Sequence, residues 1–144
     1  MFLGIDPGKS GGVAWLHKDV ARTAKMPATA ADLCEWFDDL IAWYAPYAAW
    51  RCVLEKVASS PQMGVKSAFT FGCGYGQLIG VLTALGIPFD EVSPQRWQKA
   101  LGCMTAGDKN VSKRRAQQLF PGLKVTHATA DALLLAEFCR RVNG

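Results

Sequence analysis

At 144 residues, 50% hydrophobic and 19% charged, the chain reads as one globular domain over residues 1–144, long enough to bury roughly two-thirds of its unfolded surface unaided. No apolar run approaches the ~20 residues of a membrane span, and no basic, cleavable leader opens the chain, so a cytoplasmic protein without membrane association is expected. The net charge of +4 is mild, but it is unevenly spread: six bases (Arg96, Lys99, Lys109, Lys113, Arg114, Arg115) face one acid, Asp108, between Pro94 and Arg115, whereas Asp32 to Asp39 holds four acids and no base. A one-sided basic region suits a phosphate backbone and also suits a solvated helix face.

The opening stretch GIDPGKSGG offers two chemistries. Its GKS triplet suggests a P-loop, but only three residues separate Gly4 from Gly8-Lys9-Ser10, one short of the spacing that wraps a nucleotide's phosphates. Gly11-Gly12 would also open the required helix with two poor helix formers. The stretch reads better as a hairpin: a buried strand Phe2-Leu3-Gly4-Ile5, a Pro-Gly turn, and a second strand from Gly12 to Leu16. No nucleotide cofactor is therefore expected, and Asp6 falls where strand meets turn.

Val20 to Lys25 makes a third strand, and Thr29 caps a helix from about Ala31 to Tyr44, with Pro46 after it. Trp50 to Glu55 is a short apolar run ending in an acid, the pattern of a buried strand beside the first. A loop from Val57 to Gly64 leads into a long helix to about Leu85, which Gly72, Gly74, Gly76 and Gly80 each weaken by roughly 1 kcal/mol. Such small residues imply close approach of another helix, of the sheet, or of a second copy. Ile87 to Val92 is the fifth strand, and Ser93-Pro94 starts a helix with a serine cap and proline in first position. Lys109 to Phe120 and Thr129 to Arg141 give two more helices. The order βββαβαβααα defines an α/β fold with a mixed five-stranded sheet, three antiparallel strands continued by parallel ones, flanked by helices. The cysteines (Cys34, Cys52, Cys73, Cys103, Cys139) are odd in number and unpaired in spacing, so they read as reduced, small core residues. The tryptophans (Trp15, Trp36, Trp43, Trp50, Trp97) read as core or interface residues.

Three acids take comparable places: Asp6 at the end of the first strand, Glu55 at the end of the fourth, and Asp131 in the first turn of the last helix. If the two strands are neighbours, their carboxylates lie side by side and the helix supplies the third. Carboxylates so placed repel one another unless a cation neutralises them. Two Mg²⁺ ions about 4 Å apart would do so, and would serve an in-line phosphodiester displacement.

The segments GIDPGKSGGVAWL, VLEKVASSPQMGVKSAFTFG and HATADALLLAEF, together and in this order, resemble the RuvC-type Holliday-junction resolvases, especially their short phage and prophage relatives, which have the ribonuclease H-like fold. The resemblance covers nearly the whole chain. It implies a homodimer that makes paired symmetric nicks across four-way DNA in the cytoplasm of a bacterial or phage-infected cell, with two Mg²⁺ (or Mn²⁺) ions per active site held by Asp6, Glu55 and Asp131. The family's fourth ligand falls at Ala128 here. His127, one residue earlier and about one helical turn from Asp131, is the candidate to replace it as a metal-binding catalytic residue.

The loop after Glu55 resembles the family's junction-probing loop, placing Lys56, Gln62, Met63 and Lys66 against DNA, with a core plug the alternative for Met63. GDKNVSKRRAQQLFP resembles the family's lysine-bearing region, making Lys109, Lys113 and Arg114 the expected phosphate binders, with Lys9 and Ser10, in the turn after Asp6, as further candidate contacts to the substrate strand. Two readings stand beside resolution of junctions: a nuclease of the same fold acting on RNA or RNA:DNA hybrid, and a branched-DNA-binding protein that does not cut.

Overall fold

The computed structural model describes residues 1–44 and 49–144, so the expected stop at Pro46 lies outside the described residues. Its elements are β1 (Phe2–Asp6), β2 (Gly12–His17), β3 (Val20–Lys25), α1 (Ala30–Tyr44), β4 (Arg51–Glu55), α2 (Val65–Ala84), β5 (Phe89–Val92), α3 (Pro94–Leu101), α4 (Lys109–Leu119) and α5 (His127–Asn143). The sheet order is β3-β2-β1-β4-β5. β1 pairs antiparallel with β2, and β2 with β3. β4 runs parallel to β1, and β5 parallel to β4.

Strand side chains alternate between two cores. Leu3 and Ile5 of β1, Val13 and Trp15 of β2, and Cys52 and Leu54 of β4 pack with Leu33 and Phe37 of α1 and Leu78 and Leu82 of α2. On the opposite face Ala14, Leu16 and Val53 pack against α5, which α3 and α4 cover in turn through Trp97, Leu101 and Ala116. α5 is therefore enclosed, with Leu133, Leu134, Leu135 and Phe138 all buried, each side chain worth about 1.5–3 kcal/mol in burial. That enclosure explains why its sequence shows little polar face.

Two glycines let α5 sit this close. A Cβ on Gly4 would collide with the backbone of Ala132, Leu135 and Ala136, and one on Gly12 with the Ala128 carbonyl. Only residues without a side chain admit a helix backbone at that distance.

Several boundaries differ from the sequence expectation. α5 starts two residues earlier than Thr129, because Thr126 and Thr129 form a reciprocal capping box. Asp131 consequently lies in the second turn, not the first. Thr29 does cap α1, accepting from the Asp32 amide at 3.1 Å while its own amide donates to Asp32. Pro94 stands in the first turn of α3, but the Ser93 side chain makes no capping hydrogen bond. The glycines of α2 do not serve close packing within the chain, since nothing among the described residues lies within 4 Å of a Cβ built at Gly72, Gly74, Gly76 or Gly80. Cys52, Cys103 and Cys139 are buried, whereas Cys34 and Cys73 are exposed, so the core reading fails for those two. Trp15 and Trp97 are buried, while Trp43 is 77% exposed. Among the described residues no helix is long and apolar enough to cross a membrane.

Candidate active site

The β1–β4 register pairs Ile5 with Leu54, which brings the next residues, Asp6 and Glu55, to adjacent strand ends. Period-two alternation puts Asp6 on the Gly4 face of β1 and Glu55 on the Val53 face of β4, the side covered by α5. The close seat of α5 on Gly4 then carries Asp131, one residue before the contacting Ala132, to the same end of the sheet.

The electrostatics show three coupled carboxyls. Asp6 is pushed up to about 8, first by burial, then by Glu55 and Asp131, with Lys109 opposing. Burial also raises Glu55, against the Trp97 hydrogen bond, and Asp131 raises it further. Asp131 is raised by burial, against the Ser112 hydroxyl, Lys109 and His127. Among the described residues the ion pairs join Glu137 to Arg140 and Arg141, so none neutralises this trio.

The donor set suits a hard divalent cation, being all oxygen and short of countercharge. Asp131 Oδ1 is buried and accepts no hydrogen bond, an oxygen left free for a ligand. The side chains are not closed into a chelate: among the described residues no group of three or more His, Cys, Asp or Glu is drawn together tightly enough to hold an ion as it stands. Glu55 is held by the Trp97 indole, whose Nε1 donates to Glu55 Oε2 at 2.7 Å.

The remaining candidates separate into those near the trio and those beyond it. Lys109, the exposed first residue of α4, acts on all three acids. It is positioned by Asp108, whose side chain caps the helix by accepting from the Asn110 amide at 2.9 Å. Lys113 is half-buried and Arg114 exposed, one turn further along α4. His127 opens α5 at the exposed surface and acts on Asp131, four residues on, and on neither Asp6 nor Glu55. Ala128 contributes its carbonyl to the contact over Gly12.

Lys9 and Ser10 are exposed in the β1–β2 turn, where the Gly11 amide donates to the Gly8 carbonyl at 3.1 Å. Lys9 and Lys66 line one groove of about 910 Å³ between this turn and α2. Lys56 is exposed beyond β4, its amide bound to the Val92 carbonyl at 2.8 Å. Gln62 is exposed and Met63 half-buried in the turn before α2.

Trp97 is the site residue that sequence reasoning missed. Its apolar spacing with Leu101 in α3 signalled burial, but nothing in the sequence showed its N–H meeting Glu55. Ser112, buried on α4 with its hydroxyl donating to the Lys109 carbonyl at 3.2 Å, was missed for the same reason.

The mixed sheet in this order, enclosed by helices and bearing acids at the ends of two adjacent parallel strands and on the helix crossing them, is the ribonuclease H-like fold in its RuvC-like form. No family model matches the sequence, and no curated protein matches it. The structure of T. thermophilus RuvC in complex with a Holliday junction substrate superimposes with a TM-score of 0.62 at 16% sequence identity, over 98% of this chain and 95% of that one. A second Thermus thermophilus RuvC structure gives 0.60 at 18% identity, over 97% and 95%. Fold is retained across nearly the whole length while most side chains differ.

Proposed function

We propose that this protein is a metal-dependent endonuclease that resolves four-way DNA junctions by paired symmetric nicks. The observation that carries the reading is the trio Asp6, Glu55 and Asp131, half-buried and without a paired base, at two adjacent strand ends and on the helix crossing them in a ribonuclease H-like fold. The likeness to a RuvC that was solved with a junction supports four-way DNA over other phosphodiesters.

In this reading Asp6, Glu55 and Asp131 hold two Mg²⁺ ions, with Mn²⁺ an effective substitute and His127 a further ligand. When bound, such ions supply the Lewis acidity that activates water and stabilises the leaving oxygen. The chain's own residues do the rest. Lys109 attracts the scissile phosphate to the acids and offsets their charge before the metals arrive. Lys113 and Arg114 extend that hold along the strand, as Lys9 and Ser10 do from the hairpin turn. Lys56, Gln62, Met63 and Lys66 contact the junction from the β4–α2 loop and the start of α2. These contacts position the backbone and carry little sequence information.

Two symmetric nicks require two sites related by a twofold axis, so the working form is a homodimer. The exposed face of α2 supports this: it carries Val65 at 89% and Phe69 at 75% exposure beside open glycines, and Lys66 is the helix's one charged residue. The protein would act in the cytoplasm of a bacterial or phage-infected cell.

The test is Mg²⁺-dependent cleavage of a four-way DNA junction, a linear duplex and an RNA:DNA hybrid, with Asp6→Asn as control. Paired nicks in the junction alone are expected. Cleavage mainly of the hybrid would assign the chemistry to an RNA-directed nuclease, and tight junction binding without cleavage would make the protein a binder that lacks the ligand missing at Ala128.

A further inference from the structure

We infer that Trp97 is a positioning residue for the metal centre, its indole N–H fixing the carboxylate of Glu55. The inference rests on the metal reading above and adds a residue that the acid pattern does not contain.

Trp97 is fully enclosed in the core formed by α3, α4 and α5, in contact with neither solvent nor any surface available to DNA. Its bulk alone accounts for its burial, but not for where its polar edge points. A buried indole N–H needs an acceptor, and backbone carbonyls are the commonest supply. Here the acceptor is Glu55 Oε2 at 2.7 Å, a side-chain contact spanning 42 residues of sequence. This distance lies in the range of charge-assisted hydrogen bonds. It is also the one hydrogen bond that the Glu55 side chain accepts among the described residues.

The mechanical consequence follows from the two anchors. Glu55 stands at the last position of β4, where the strand gives way to the loop beginning at Lys56, so its backbone is held on one side only by the ladder. The indole is rigid and clamped by the core. It binds one carboxylate oxygen, leaving Oε1 as the oxygen without a protein donor. A ligand so tethered approaches an ion with one oxygen committed and its torsions already restricted, the arrangement by which outer partners orient metal-binding groups.

The experiment measures Mn²⁺ binding to the full chain without DNA, by the electron paramagnetic resonance signal of free Mn²⁺, with thermal unfolding in EDTA measured alongside. Trp97→Phe keeps an aromatic ring and loses the donor. Should that variant fold poorly, benzothienylalanine at position 97 keeps the bicyclic shape and lacks only the N–H. We expect Mn²⁺ affinity to fall about tenfold, and to fall no further when Trp97→Phe is added to Glu55→Gln. A purely structural role predicts a lower melting temperature with Mn²⁺ affinity unchanged, and that result, or an unchanged affinity with benzothienylalanine, overturns the inference. Wild-type Mn²⁺ binding that is indifferent to Asp6→Asn overturns the metal reading itself.

Discussion

Removing the charge of Asp6 is expected to stabilise the metal-free protein at alkaline pH even as it abolishes activity. The folded-state value of about 8 lies above the ordinary 3.8, so between these two values the native state keeps a proton that the unfolded chain has released. Stability therefore falls as pH rises through that interval; below it both states are protonated, and above it the loss is complete. About four pH units at about 1.4 kcal/mol each set a ceiling of about 6 kcal/mol on the destabilisation. Asp6 is half-buried, and rotation toward water relieves part of this, so Asp6→Asn should gain about 2 kcal/mol near pH 8.5 in EDTA and almost nothing near pH 3.5. Urea unfolding followed by tryptophan fluorescence at both pH values reads the difference directly. Added Mg²⁺ should stabilise the wild type near pH 8.5 and leave Asp6→Asn almost unmoved. A variant that is no more stable than wild type near pH 8.5, or one whose gain is the same at both pH values, would refute the claim that the three carboxyls stand uncompensated.

Lys109→Ala should weaken junction binding in EDTA and lower the slope of log affinity against log salt by about one; titrations at several salt concentrations would expose an unchanged slope, and with it a lysine that meets no phosphate. Gly4→Ala should destabilise the fold by about 3 kcal/mol or more, because the added methyl meets helix backbone that must move as a body. Its denaturation midpoint would stay near wild type if α5 did not press on β1. Gly76→Leu meets open space in the monomer and should raise intrinsic stability by up to about 1 kcal/mol through helix propensity, yet shift sedimentation from dimer to monomer. Persistent dimers would place the interface away from α2.

The sheet was readable from sequence because strands leave strong local signs: β3 begins and ends at the expected residues, and Glu55 closes an apolar run as Asp6 closes another. The adjacency of those two acids depended on β1 pairing with β4, which a parallel crossover made the natural outcome. Helix beginnings were less legible, since Thr126 and Thr129 are each acceptable caps and only their mutual hydrogen bonding chooses between starts. Gly4 and Gly12 looked like hairpin residues; that they serve as the seat of α5 depends on a partner more than a hundred residues away in sequence. The indole of Trp97 was opaque for a related reason, because apolar spacing reports which face is buried and says nothing of where one N–H is aimed. The glycines of α2 had the opposite fate: they suggested tight packing, and the chain itself leaves them open.

The distance in sequence between Asp6 and Asp131 makes α5 a safeguard as well as a scaffold. The third carboxyl arrives only when that helix is seated across the sheet, so a chain in which α5 is not yet packed on β1 holds two of the acids and lacks the third. On the proposed function, a half-formed molecule whose α5 is unseated does not cut. Stray nicking of a genome is thereby confined to molecules whose last helix is home.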